Sequence, residues 1–314
     1  MKIYHSIEDF VRLQCAVVTS GTFDGVHVGH QKILNRLQEI ATKMGGESVV
    51  ITFWPHPRLV LNPLDTHLKL LSTFEEKAEQ LRAYGVQHLL RIPFTREFAQ
   101  LSSRDFIRSV LVDAIGTSKL VIGYDHHFGK NREGSFEQLK ENGPQYGFEV
   151  EEIPRQDVDH VGVSSTKIRE ALEAGDVQTA TQLLGRPYSL NGRVVMGDRI
   201  GRTLGYPTAN LEIDSAHKLI PADGIYAVTV NHRHKAFRGM LYIGNRPTLD
   251  GLKKNIEVHL FGFKGDLYGE SLTVFLHVRT RGDMKFENLE QLRFQLDRDK
   301  LETLAALESV QPWQ

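Results

Sequence analysis

The run Gly21-Thr22-Phe23-Asp24-Gly25-Val26-His27-Val28-Gly29-His30 sets two imidazoles three residues apart where a strand gives way to a helix. Gly21 and Gly25 permit tight backbone approaches, and His27 and His30 project from one face of the first helical turn. The free N–H groups and positive dipole end of a helix start favour an anion. With two imidazole donors added, the spot suits a nucleotide polyphosphate. Histidines there also serve as caps or surface residues, and a zinc ion would want a third ligand. A second segment, Ser164-Ser165-Thr166-Lys167-Ile168-Arg169, brings hydroxyls for an N-cap, free amides and two cations to the start of a helical run over 167–174. A plain capped helix would look the same.

In the C-terminal half, Gly197, Gly201 and Gly205 punctuate a loop after a strand and lead into Tyr206-Pro207-Thr208-Ala209-Asn210. Such glycine spacing suits backbone N–H groups wrapped around phosphates, and equally a long β-turn system. Glu257 opens a predicted strand, where alternation allows it to face a ligand, although a lone strand glutamate is ordinarily solvated.

The elements that must position these residues fall into two textures. Residues 15–19, 48–53, 88–92, 119–123 and 148–153 read as short buried strands, and 30–43, 74–84, 104–115 and 135–146 as amphipathic helices between them. That alternation implies a Rossmann-like α/β domain with a parallel sheet and ligand loops beyond the carboxyl ends of the strands. After about 185 the β-rich runs 190–196, 225–231, 236–243, 256–263 and 272–279 follow one another without helices, as in an antiparallel β-barrel. A terminal helix over 288–307 offers Leu289, Leu292, Leu296, Leu301 and Leu304 for packing against it. The expected domains are 1–185 and 186–314.

Composition narrows the function classes. The 314 residues are 40% hydrophobic and 25% charged with a net charge of −1, as in a globular protein of about two domains. Residues 1–185 carry 20 basic and 24 acidic side chains, and 186–314 carry 18 and 15. Neither half has the basic surplus of a nucleic-acid binder. Cys15 is the only cysteine, which excludes intrachain disulfides and thiolate-rich metal centres. No signal peptide or membrane span is evident, so a cytoplasmic protein is expected, with small-molecule partners, no nucleic acid, no membrane and no obligate protein partner.

The string GTFDGVHVGH resembles the HxGH signature of the nucleotidyltransferase superfamily, and its FDGVH part resembles the FAD-forming branch. SSTKIR is similar to the second signature of that superfamily. The resemblance implies that Gly21, Thr22, Phe23, Asp24, His27, His30, Ser164, Ser165, Thr166 and Arg169 bind ATP, with His27 and His30 stabilising developing charge rather than acting as nucleophiles. Gly123 to Gly134 resembles the flavin-side loop of bacterial FAD synthetases, with His126 where that family often has Phe. Asp125 and Phe128 are therefore expected at FMN.

Pro207-Thr208-Ala209-Asn210 resembles the riboflavin kinase signature, which implies Mg²⁺ on Thr208 and Asn210, phosphates along Gly197, Gly201 and Gly205, and Glu257 as the base. Arg281, near the family's R-x-x-x-K-F stretch, is expected at the flavin. Both sets in this order resemble the prokaryotic bifunctional riboflavin kinase/FMN adenylyltransferase family. ATP, riboflavin, FMN and FAD are then substrates and products. The alternatives are a nucleotidyltransferase for another phosphate acceptor whose barrel is a non-catalytic flavin-binding or regulatory module, and a barrel that binds oligonucleotides.

Overall fold

The computed structural model describes residues 1–64, 68–123, 128–130, 133–154, 162–197, 200–248 and 251–311. Tyr124, Asp125, His126, His127, Asp198 and Arg199 lie outside the described residues. The chain divides into two compact units, Met1–Ser165 and Thr166–Gln314.

The first unit is built on a six-stranded parallel sheet in the order β1-β4-β3-β2-β5-β6. Its strands are β1 (Lys2–Tyr4), β2 (Ala16–Ser20), β3 (Glu47–Trp54), β4 (His88–Pro93), β5 (Thr117–Gly123) and β6 (Glu149–Ile153). Successive residues feed opposite faces. Val18, Ile51, Leu90 and Ile122 pack with Val110 and Leu111 on one side, while Val17, Val50, Leu89 and Val121 pack with Leu34, Leu37 and Leu81 on the other. Burial on both faces explains why these strands read as continuous apolar runs. β2 lies between β3 and β5, so the strand order reverses there and a crevice opens beyond its carboxyl end.

Helix α1 (Val28–Met44) is capped by His27 and stopped by Gly45 at φ 63°. After the short α2 (Pro57–Leu61), α3 (Phe74–Ala83) starts on a reciprocal Thr73–Glu76 capping box. The run expected as one helix over 104–115 is a turn at Ser103–Asp105 followed by α4 (Phe106–Ile115), which is wound in wide π-type turns. That expected over 135–146 is α5 (Phe136–Asn142) and then a tight 3₁₀ turn, where Pro144 has no N–H to offer. β1 was too short to be legible in the sequence.

Helices α6 (Ser165–Ala174) and α7 (Val177–Leu184) lead into the barrel, and the Ala222 N–H donates to the Leu172 carbonyl. The sequence boundary near 185–188 falls at the far end of these helices. The barrel is closed and antiparallel in the order β10-β11-β8-β7-β12-β9. It comprises β7 (Tyr188–Val195), β8 (Ala209–Glu212), β9 (Gly224–His232), β10 (Lys235–Thr248), β11 (Gly251–Leu260) and β12 (Ser271–Arg281), with the one-turn α8 (Ile200–Thr203) inside the glycine-spaced loop. β8 is an addition to the sequence reading, and β11 starts five residues earlier than expected, so Glu257 sits within the strand.

The terminal helix α9 (Leu289–Ala306) corrects the expected stripe. Leu289 and Leu301 are exposed, at 60% and 69%. Leu292 and Leu296 face a cavity, and Asp299, Thr303 and Leu307 are fully buried. These inward positions keep helical spacing, but two are polar, and one of them, Asp299, receives an arginine from the barrel.

Candidate active sites

The first site is the turn from β2 to α1. Three residues there adopt left-handed backbone: Phe23 at φ 47°, Gly25 at 81° and Val26 at 41°. For a β-branched residue such as Val26 that is a real strain, and it persists because the surroundings over-determine the loop. The buried Asp24 carboxylate accepts the backbone N–H groups of Leu71 (3.0 Å) and Ser72 (3.2 Å). Ser72 Oγ in turn accepts the N–H of Gly25. Asp24 therefore orients the loop itself, and the Gly21 N–H donates to the Ile51 carbonyl.

His27 combines two readings from the sequence. Its Nδ1 accepts the His30 N–H as a cap, and its ring stacks on that of His30 with centroids 3.7 Å apart. His30 Nδ1 is buried with no hydrogen-bond partner among the described residues. Burial, with the neighbouring His27 and Lys77 adding to it, pushes the His30 imidazole well below its ordinary pKa, so the ring is neutral at pH 7. A buried donor-acceptor atom left over on a helix N-terminus is a place where a ligand completes the hydrogen bonding.

The Ser165 hydroxyl donates to the Asp24 carbonyl at 3.0 Å, which joins the second phosphate-suited segment to the first. Ser164 is half-buried and belongs to the same unit, while Thr166 and Arg169 open α6 in the next. Thr22 presents its carbonyl to Thr52 Oγ1. Phe128, expected at the flavin, is buried with its ring on Phe106, and it bridges to Gly134. A Cβ on Gly134 would run into that ring. Phe128 thus anchors the loop to the core.

The second site lies at one mouth of the barrel. Asn210 on β8 and Glu257 on β11 are direct cross-strand partners. Thr208 Oγ1 donates to Glu257 Oε2 at 2.7 Å, and Asn255 Nδ2 donates to Oε1 at 2.7 Å. The two glycines of the preceding loop have steric duties: a Cβ on Gly197 would collide with the Asn210 amide, and one on Gly201 with the Tyr206 carbonyl. Gly205 turns the chain at φ 86°.

Next to these oxygens is a cavity of about 280 Å³, bounded by Tyr242, His259, Arg281, Met284, Phe286 and Leu292 among others. It has one polar end at Thr208 and Glu257 and an otherwise largely apolar wall, as expected for a planar heteroaromatic ligand. Arg281 reaches it from β12 while its guanidinium forms a bidentate pair with Asp299, at 2.8 and 2.7 Å.

Several contributors carried no functional signal in the sequence. His259, two residues beyond Glu257 and so on the same strand face, bonds the Pro207 carbonyl through Nδ1 at 2.7 Å. Burial lowers its pKa, and the neutral ring with Nδ1–H as donor fixes the Thr208 turn. Tyr206 bonds Asp297 of α9, and burial plus that carboxylate push its phenol up to about 12. Lys77 and Asp299 were marked only by standing in the apolar stripes of α3 and α9.

Comparison with known proteins matches each half to a family. Residues 11–167 match the FAD synthetase family and residues 184–307 the riboflavin kinase family. The chain is 39% identical over 284 residues to the bifunctional riboflavin kinase/FMN adenylyltransferase of Pseudomonas fluorescens, covering 90% of each chain. It is 38% identical over 286 residues to the Escherichia coli K12 protein so named, covering 91% of this chain and 90% of that one. Among solved structures, one described as a macrolide-efflux protein from Streptococcus pneumoniae matches with a TM-score of 0.87 and 34% identity, covering 96% of this chain and 98% of that one. That description belongs to that protein; among the described residues here, no helix is long and apolar enough to cross a membrane. The chain belongs to the bifunctional riboflavin kinase/FMN adenylyltransferase family, whose members phosphorylate riboflavin to FMN and adenylylate FMN to FAD.

Proposed function

We propose that the two reactions divide between the two sites as follows. In the barrel, riboflavin lies in the cavity beside Arg281 with its 5′-hydroxyl at Glu257. The carboxylate takes the hydroxyl proton as the oxygen bonds to the γ-phosphorus of ATP, the bond from that phosphorus to the β–γ bridging oxygen breaks, and ADP leaves. Backbone N–H groups of the loop carrying Gly197, Gly201 and Gly205 receive the phosphates.

Thr208 and Asn210 supply hard oxygens that fit Mg²⁺, a cation that keeps waters and phosphate oxygens as its other ligands. When bound, Mg²⁺ neutralises phosphate charge. The Thr208 hydroxyl has lone pairs available to a cation while it directs its own proton at the Glu257 carboxylate. The donor–acceptor polarity of that pair is what makes the set compatible.

In the first unit, a phosphate oxygen of FMN attacks the α-phosphorus of ATP. The bond from that phosphorus to the α–β bridging oxygen breaks, and pyrophosphate leaves. His27, His30 and the N–H groups at the start of α1 stabilise the charge that develops. Ser164 and Ser165 hold the departing phosphates, and Asp125 with its loop contacts FMN. The division of labour corresponds to domains 1–185 and 186–314, in a cytoplasmic enzyme with small-molecule partners.

The observation that carries the reading is the pairing of Asn210 with Glu257 on adjacent barrel strands, with Thr208, just before the first of them, bonded to Glu257. The test is chromatography of FMN and FAD made by the purified protein from riboflavin, Mg²⁺ and ATP. His30→Ala is expected to stop at FMN, and Asn210→Ala to make no FMN yet adenylylate supplied FMN. A wild-type kinase rate in Asn210→Ala at limiting Mg²⁺ would remove the metal role, and wild-type FAD synthesis in His30→Ala would remove the first-unit assignment.

A further inference from the structure

Lys77 is 2% exposed on α3, whose other buried positions are Phe74, Ala78, Leu81 and the capping-box Glu76. A methionine or leucine would pack in that position without desolvating a charge, so the ammonium needs a purpose. Its Nζ donates to Thr52 Oγ1 at 3.3 Å and stands 5.3 Å from the centroid of the Trp54 ring. Thr52 Oγ1 passes its own proton to the Thr22 carbonyl at 3.3 Å. Lys77 thereby reaches the strained loop through one hydroxyl of β3.

A second connection runs the other way. Asp24, two residues after Thr22, holds the N–H groups of Leu71 and Ser72, the residues that lead into α3. Thr22, Thr52, Lys77, the start of α3 and Asp24 therefore close a polar ring beneath the HxGH turn. The ring adds side-chain links among three chain segments, two of which already meet through the β2–β3 pairing and the Gly21 N–H on the Ile51 carbonyl. Among the described residues, the charged and titratable groups that interact with Lys77 are the Asp24 carboxylate on the loop and the His30 imidazole on α1, which His27 also adjoins. An ammonium can donate three hydrogen bonds, and this one makes one. It is a fixed positive charge behind the loop rather than a group satisfied by an ion pair in contact.

We propose that Lys77 is a positioning residue of the adenylyltransferase site: through Thr52 it locks the signature loop to β3, and its charge adds to the potential that draws the phosphates of both substrates together. Because it is buried, it acts through the loop and through His30 rather than by touching substrate. A displaced loop spoils the in-line approach of two anions, and an error of about 1 Å in such an approach costs about 10²-fold in rate. The lysine works as a cation, and burial lowers its pKa to about 8 against the pull of Asp24. Its contribution therefore fades as pH rises through that value.

The inference rests on the first-unit assignment above, and the experiment separates the two. Initial rates of FAD formation from supplied FMN and ATP are measured for wild type, Lys77→Met, Lys77→Arg, Thr52→Val and His30→Ala across the pH range, with the riboflavin kinase rate of each sample as its reference. Lys77→Met is expected to lose about 10²-fold in kcat with the KM for FMN little changed. Wild-type kcat is expected to decline above about pH 8, whereas Lys77→Arg, charged at every working pH, holds its rate there. A Lys77→Met enzyme with wild-type kcat, or alkaline limbs that coincide in wild type and Lys77→Arg, overturns the role of Lys77. If the first unit of Lys77→Met shows no cooperative melting, Thr52→Val decides: a lowered kcat supports the ring, and a wild-type kcat overturns it. Wild-type FAD synthesis in His30→Ala instead refutes the site assignment itself.

Discussion

Replacing Asp299 with alanine removes a carboxylate that is 0% exposed and takes three charge-assisted hydrogen bonds. Two come from Arg281, whose side chain is 16% exposed, and the third from Gln295 at 2.8 Å. Breaking a buried pair by deleting one partner leaves the other charge without compensation, at a cost of about 3–5 kcal/mol. Each kcal/mol moves the melting temperature of a unit of this size by about 2–4 °C. Asp299→Ala is therefore expected to lower the barrel's transition by about 10 °C, followed by calorimetry as the transition that riboflavin shifts upward.

The same variant frees Arg281 inside the cavity, so the KM for riboflavin should rise while FAD formation from supplied FMN continues. The double variant Arg281→Leu/Asp299→Leu removes both charges together. It should regain most of the lost stability, since apolar replacements for a buried pair are close to neutral, but not the riboflavin affinity. The reasoning fails if Asp299→Ala costs less than about 1 kcal/mol, the range of an exposed ion pair, or if the double variant is no more stable than the single one.

A methyl group at position 197 has no room beside the Asn210 amide, so Gly197→Ala should cut the riboflavin kinase kcat by about 10²-fold and leave adenylylation of supplied FMN intact in the same preparation. Lys77 also predicts a stability profile. The fall of its pKa from 10.5 to about 8 corresponds to about 3 kcal/mol against the buried ammonium at neutral pH. Between those two pH values the unfolded chain holds a proton that the native state has released, so the stability of the first unit rises with pH. Lys77→Met should melt higher than wild type at pH 7, and the gap should close toward pH 10.5 in thermal scans.

Much of this organisation was legible beforehand, and the gaps share a cause. The parallel strands announced themselves because Val17–Val18, Val49–Ile51 and Leu89–Leu90 supply apolar residues to both sheet faces. The chemistry-bearing strings fell in the turns after strands because that is where an α/β sheet leaves backbone unpaired. β8 escaped notice because four residues, Ala209–Glu212, are too few for alternation to register, and the motif that overlaps them drew attention to chemistry instead. The terminal helix was misread at Leu289 and Leu301 because apolar identity was taken as inward direction. Asp299, polar yet fully buried, is set by Arg281 from a strand that sequence spacing cannot bring near. Lys77 was missed in the same way, since its partners at 24 and 52 are gathered only by the fold.

The pairing of β8 with β11 has a consequence for the barrel as a whole. That seam consists of two residue pairs, Glu257 with Asn210 and Val258 with Ala209, whereas β10 and β11 pair along their length from Gly239–Leu260 to Thr248–Gly251. The proposed base and metal ligand are thus also the stitches of the narrowest join in a closed sheet. Any ligand that bridges them, as proposed for nucleotide and cation, would add a rung at that seam and so stabilise the closed cylinder.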